Sequence, residues 1–183
     1  MVHKRNNEEL RIINYLSLKE AHVRMMERDL GIPRATLIRR LKEMEELNII
    51  DYKTIGKNKQ YFIKKGIKTR KILEESEHYK LIELLRKEPW MEPLFDEIIK
   101  KVPGGRMIIL FGSYAKNREK NDSDLDLYVE TEDNKMKKEL EKLNTKISVK
   151  IGKFNKESLL IREIIKNHIM IKGVEKFYEQ VFD

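Results

Sequence analysis

The stretch from Leu110 to Glu130, LFGSYAKNREKNDSDLDLYVE, constrains the fold more than any other part of the chain. The apolar run RMIIL leads into it and reads as a buried strand that ends at Gly112-Ser113. Glycine at such a point permits backbone torsions closed to other residues and lets another group approach closely. Ten residues, 114–123, follow, and then Asp124-Leu125-Asp126-Leu127 alternates acid with aliphatic. Side chains on a strand alternate faces, so Asp124 and Asp126 share one face, about 6–7 Å apart, while Leu125 and Leu127 point to the core. The chain must therefore build a sheet that carries two carboxylates on one face, close in sequence to a glycine-serine turn.

Two neighbouring carboxylates on a rigid surface repel each other unless a cation sits between them. Hard oxygen ligands of this kind suit magnesium, with the phosphates of a ligand completing its shell. Ser113 adds a hydroxyl, and the residues after it begin a helix whose N–H groups point at the same spot. A strand-turn-helix edge of this sort suits an anion. On this reading Gly112 and Ser113 hold a polyphosphate tail, and the aspartates hold the metal that polarises it. The plain alternative is a surface loop whose aspartates cap a strand, which does not account for the turn and the strand context together. Lys116 and Arg118 follow in the short helix. They either add charge to the phosphate pocket or lie on a solvated helix face.

Phe111-Gly112-Ser113, residues 114–123 and Asp124-Leu125-Asp126 resemble the pattern of the nucleotidyltransferase superfamily that includes DNA polymerase β, above all its minimal members. The segment SLLIREIIKNHIMIKGVEKFYE looks like the C-terminal end of that family: a helix, a short hydrophobic strand, a glycine turn and an aromatic close behind. The resemblance covers roughly residues 90–180. It implies magnesium and a nucleoside triphosphate bound at Gly112 and Ser113, with Lys116 and Arg118 as further nucleotide-binding residues. Asp124 and Asp126 become both metal ligands and catalytic residues.

Active members of the family carry a third acid on a later strand, between hydrophobic neighbours. The corresponding strand here, KISVKIGKF at 146–154, offers Ser148 or Lys150 and no acid. Glu130 shares the face of the aspartates but lies about 13 Å beyond Asp126 along the strand. Paired catalytic metals sit only about 4 Å apart. Glu157 and Asp122 reach the site only through loops. The expectation is a nucleotide bound with transfer slow or absent. The likeness to minimal members, which resemble antitoxins that nucleotidylate a partner toxin, leaves open transfer to a protein hydroxyl such as a tyrosine.

The N-terminal third has a different character. NEELRIINYLSL reads as a helix with Leu10, Ile13, Leu16 and Leu18 as its apolar stripe. HVRMMERDLG reads as a second, with Val23, Met26 and Leu30 inward and Gly31 ending it in a left-handed turn. In IPRATLIRRLKEMEELN, Pro33 suits a helix start, and Leu37, Ile38, Leu41, Met44 and Leu47 form one face. Strands over 49–55 and 60–64, joined around Gly56–Lys59, complete the unit. Helix, helix, glycine turn, helix and basic-tipped hairpin resemble the winged helix-turn-helix domains of transcription regulators, most of all in LGIPRATLIRRLKEMEELNII. The resemblance implies that Arg34, Thr36, Arg39 and Arg40 face a major groove while Lys53, Lys57 and Lys59 contact backbone phosphates. Winged helices also serve as protein-docking modules, so a protein partner stays open.

Charge agrees with a nucleic-acid partner. The 183 residues carry a net +8, and residues 1–66 hold 15 Lys and Arg against 9 Asp and Glu, the larger part of that excess. Hydrophobic residues make up 40% of the chain and fall in periodic runs, as expected of a folded protein. With no cysteine, neither disulfides nor thiolate zinc sites can form. The scattered His3, His22, His78 and His168 lack ligand spacing and read as ordinary surface or partly packed residues. No apolar run approaches the ~18 residues of a membrane span, and MVHKRNNEEL is not a signal peptide, so no membrane partner and a cytoplasmic location are expected.

The expected fold is α+β. A winged helix-turn-helix spans 1–66, a helical linker 67–90, and a nucleotidyltransferase-like mixed sheet flanked by helices 91–183. Ile72, Leu73, Tyr79, Leu81, Ile82 and Leu85 of the linker are available for packing, and Trp90 reads as a packing anchor. Double-stranded DNA, a nucleoside triphosphate and a second copy of the chain are the expected partners, since a winged helix usually reads a two-fold site as a homodimer.

Overall fold

The computed structural model describes residues 7–116, 118 and 123–182 and is an α+β fold of two compact units, Met1–Ser76 and Glu77–Asp183. His3 and Asp122 lie outside the described residues.

Apolar stripes build the first unit. Helix α1 (Asn7–Leu18) opens with Glu8 and Glu9, whose charge suits the positive end of a helix, and buries Leu10, Ile12, Ile13 and Leu16. Leu18, expected in that stripe, is 56% exposed. It lies two residues past Leu16, about 200° further around the helix. The short strand β1 (Ala21–His22) leads into α2 (Val23–Leu30), whose first turn is capped by His22, Nδ1 accepting from the Met25 N–H at 3.1 Å. Gly31 ends α2 at φ 64°, its N–H returning to the Glu27 carbonyl at 3.0 Å. Pro33, extended, caps α3 (Arg34–Glu46), which buries Leu37, Leu41 and Met44. Ile38, expected on the same face, is 51% exposed because it lies about 100° around the helix from Leu37. Leu47, beyond the last helical turn, is 49% exposed.

Strands β2 (Ile50–Ile55) and β3 (Asn58–Ile63) pair antiparallel from Ile50↔Ile63 to Ile55↔Asn58. The connection is two residues rather than the expected four, because Gly56 at φ 60° turns the chain at once. β1 joins β3 to give the order β1-β3-β2. Helix α4 (Ile67–Lys87) fills the expected linker, and the division between the units falls within it, after Ser76. Ile72, Leu73 and Leu84 are buried, whereas Ile82 is 49% exposed.

The second unit continues with α5 (Met91–Lys101), β4 (Ile108–Leu110), the single turn α6 (Gly112–Ala115), β5 (Leu125–Glu130), α7 (Asn134–Glu141), β6 (Ile147–Gly152), α8 (Leu159–Lys166), β7 (Ile169–Lys172) and α9 (Val174–Phe182). The sheet runs β6-β5-β4-β7, with β5 parallel to β6 and antiparallel to β4, and β4 antiparallel to β7. Leu125, Leu127 and Val129 of β5 join one core with Met91, Phe95 and Ile98 of α5 and Leu140 of α7. Truncating a fully buried residue there, such as Leu127, costs about 2–5 kcal/mol. On the other side, Tyr128, Phe154 and Phe177 stack edge to face. Gly173, at φ 84°, favours glycine twice over: its backbone is left-handed, and a Cβ would crowd the Met107 backbone at 3.1 Å.

His168 differs from its sequence reading: it is buried, at 8% exposure, in a polar cluster. Its Nδ1 faces the Ile164 carbonyl at 3.0 Å and its Nε2 faces Glu77 Oε1 at 3.4 Å. The Tyr178 hydroxyl donates to Glu77 Oε1 at 2.7 Å, and Lys80 Nζ lies 2.7 Å from Glu77 Oε2. Burial alone would push the Glu77 carboxyl up; the Lys80 ammonium and His168 more than offset this and hold it down at about 2. No described helix is long and apolar enough to cross a membrane.

Candidate functional site

β4 delivers the chain to the bend. Its buried residues Ile108, Ile109 and Leu110 fix the strand, and the Phe111 N–H then donates to the Asp126 carbonyl at 2.9 Å. That bond clamps the last residue before the bend to the acidic strand. Gly112 follows at φ 73°. A Cβ placed there would stand 2.1 Å from Asp126 Oδ2, so the bare glycine backbone lies directly against the carboxylate. The turn and the strand acid are thus one site. The helix expected after Ser113 is a single turn, Gly112–Ala115, so its axial dipole is small.

Asp124 is exposed, just ahead of β5, and Asp126 is partly buried on the same face. Burial pushes the Asp126 carboxyl up, the neighbouring Asp124 charge adds to this, and Lys150 opposes it. The charged form of Asp126 is therefore disfavoured without a positive partner, the property expected of a residue at a cation site. The donor set fits one hard cation, with the glycine backbone of the bend directly against one of the two carboxylates.

The parallel pairing of β5 with β6 sets Ser148 beside Asp126 and Lys150 beside Tyr128. Among the described residues no group of three or more His, Cys, Asp and Glu could hold a metal ion. Glu130 is engaged by Lys176 Nζ at 2.5 Å, and Glu157 by Arg162. Lys116 Nζ pairs with Glu163 Oε1 at 2.6 Å, and its ammonium holds the Glu163 carboxyl low. Lys116, Arg118, Glu163 and Asn167 line a cavity of about 290 Å³.

In the first unit, Arg34 is exposed at the start of α3, with Thr36 half-buried in the same turn. Arg39 is exposed and reaches Glu43 at 3.5 Å. Arg40 is drawn inward: its side chain is 14% exposed and binds Glu9 at 3.1 Å, Glu8 at 3.4 Å and Glu43 at 2.9 Å, tying α3 to α1. Lys53 pairs with Glu20 at 2.5 Å, Lys57 is exposed at the hairpin turn, and Lys59 Nζ sits 3.6 Å from the Tyr52 ring centroid. Ile38 and Lys42, absent from the sequence-based set, share the exposed side of α3 with Arg34. They recur at four-residue spacing, a signal that the apolar character of Ile38 masked.

No curated protein matches the chain by sequence. Among solved structures, 50% of this chain aligns with 69% of the adhesin competence repressor AdcR from Streptococcus pyogenes, at 14% identity and a TM-score of 0.42. A further 56% alignment covers 77% of a chain in the crystal structure of a toxin-antitoxin with AMP-PNP, at 26% identity and a TM-score of 0.36. Residues 95–176, which hold the Gly112 bend, both aspartates and every strand of the second sheet, match the family model of the polymerase beta nucleotidyltransferases.

Proposed function

We propose that this chain is a DNA-binding regulator whose nucleotidyltransferase domain binds a magnesium–nucleoside triphosphate as a ligand, with transfer slow or absent. The observation that carries the reading is the absence of room for any side chain between Gly112 and Asp126. Bare backbone against a carboxylate is what a polyphosphate and its cation need in order to approach together. Asp124 and Asp126 would hold magnesium, which when bound neutralises phosphate charge. The Ser113 hydroxyl donates to a phosphate oxygen. The Phe111 N–H fixes the height of Asp126 through its carbonyl. Transfer would further need a carboxylate to take the proton of an attacking hydroxyl. Neither Ser148 nor Lys150, the residues of β6 on this face, is one.

The first unit supplies the DNA face. Arg34, Thr36 and Arg39 on α3 meet base edges and phosphates, and Lys53, Lys57 and Lys59 of the hairpin meet phosphates. Arg40 supports that face from behind through its bonds to α1. A homodimer on a two-fold site is the natural assembly.

Titration of the full chain with a fluorescent ATP analogue should show magnesium-assisted binding that Asp124→Asn with Asp126→Asn abolishes. Unchanged binding in the double variant would remove the site. Duplex DNA should bind with an affinity that falls steeply with salt. No salt-dependent binding would favour a protein-docking role for the first unit. Incubation with α-labelled ATP and cell lysate should leave no labelled protein, and a labelled band would instead assign transfer to a protein hydroxyl.

A further inference from the structure

We propose that the site holds a single divalent cation and that the Lys150 ammonium supplies the second positive charge to the bound triphosphate. The proposal rests on the nucleotide-binding reading of Gly112, Ser113, Asp124 and Asp126.

Paired residues on neighbouring strands point to the same face, with strands about 4.8 Å apart. The acidic face of β5 therefore continues into β6 as Ser148 beside Asp126 and Lys150 beside Tyr128. Tyr128 is buried, Ser148 half-buried and Lys150 exposed, so the face opens toward solvent at the lysine. Asp126 and Lys150 are diagonal neighbours, about 8 Å apart at Cα, within the span of a lysine side chain.

Among the described residues, Glu130 on the same strand is engaged by Lys176, and Glu157 by Arg162. Two carboxylates supply the protein ligands of one divalent cation, and among the described residues no third His, Cys, Asp or Glu joins them to secure a second. One such cation balances the two aspartates but not the phosphates as well. Lys150 is the charged group of β6 positioned to meet that remainder. An ammonium neutralises phosphate oxygens but cannot activate a hydroxyl for in-line attack as a second metal does. The substitution therefore turns transfer chemistry into retention of the ligand.

The test uses the full chain with the non-hydrolysable analogue AMP-PNP and Mn²⁺, counted by electron paramagnetic resonance. One Mn²⁺ per chain is expected. Lys150→Met should weaken AMP-PNP binding by about tenfold, the worth of a charged hydrogen bond, with the count unchanged. Ser148→Asp should raise the count to two. Two Mn²⁺ in the wild type, wild-type affinity in Lys150→Met, or a count of one in folded Ser148→Asp would each overturn the proposal. If Ser148→Asp does not fold, Lys150→Met decides, since that side chain is exposed. Wild-type binding with two Mn²⁺ sinks this proposal alone. No AMP-PNP binding at all sinks it together with the reading beneath it.

Discussion

At Gly112 the chain has no room for a side chain. The backbone is left-handed, at φ 73°, and a Cβ would fall 2.1 Å from Asp126 Oδ2. Gly112→Ala must either swing the carboxylate away or shift the bend, and it adds the left-handed strain of about 1–2 kcal/mol. We expect a lower melting temperature and at least a tenfold loss of nucleotide affinity. An unchanged affinity, measured on the folded variant, would separate the bend from the ligand. Arg34 and Arg40 make a second comparison. Arg34 is exposed, whereas Arg40 bonds three carboxylates at 14% exposure. Arg40→Ala should therefore cost stability, about 1 kcal/mol once solvent screening is allowed for. Arg34→Ala should leave stability alone and weaken duplex binding. Equal melting temperatures for the two variants would contradict this division. That the bend and the acids belong to one site was legible in the motif; that Gly112 itself lies against Asp126 was not, because it follows from the antiparallel pairing of β4 with β5. The capture of Arg40 was not, because Glu8 and Glu9 lie 32 and 31 residues away in sequence.

Elements α4, β7 and α9 of the second unit meet at one buried carboxylate. Glu77, at the middle of α4, is 1% exposed and is held by Lys80, by Tyr178 of α9 and by His168, which immediately precedes β7. Breaking such a pair by removing one partner costs about 3–5 kcal/mol, so Glu77→Ala should destabilise the unit strongly at neutral pH. The pH dependence has a definite sign. The folded carboxyl sits at about 2, below the ordinary glutamate value of 4.5, so its stabilisation is complete above 4.5 and disappears as pH falls toward 2. Urea unfolding between pH 5 and 2 should show a slope that Glu77→Gln reduces. Parallel profiles for the two proteins would refute the role. Much of the order of elements was readable from apolar periodicity punctuated by Gly31, Pro33, Gly56 and Pro103, but the two-residue β1 and the lysine-rich α7 were not read, since neither carries a clear apolar stripe. The Glu77 cluster was hidden: its members lie on two helices and the short link before β7, far apart in sequence, and nothing local marks His168 as buried. Leu18 and Ile38 misled for the opposite reason, since an apolar residue beside a stripe reads as part of it.

Across the whole molecule, chemistry is divided by position. Residues 1–66 carry most of the net charge of +8, and residues 95–176 carry the match to the polymerase beta nucleotidyltransferases. A single continuous helix, α4, contributes residues to both compact units. A regulator that senses a nucleotide requires that the ligand and the DNA influence each other. Linkage makes that influence reciprocal: whatever factor the nucleotide applies to DNA affinity, DNA must apply to nucleotide affinity. Coupling in such systems is about 1–3 kcal/mol, or about 5- to 150-fold. We expect AMP-PNP with Mn²⁺ to shift duplex affinity within that range, and duplex DNA to shift AMP-PNP affinity by the same ratio. Asp124→Asn with Asp126→Asn should leave DNA affinity at its nucleotide-free value whether or not the analogue is added. Fluorescence anisotropy on labelled duplex and on labelled nucleotide supplies the two measurements independently. A ratio of one in both directions would mean that the units act separately, and the nucleotide domain would then be a passenger rather than a sensor.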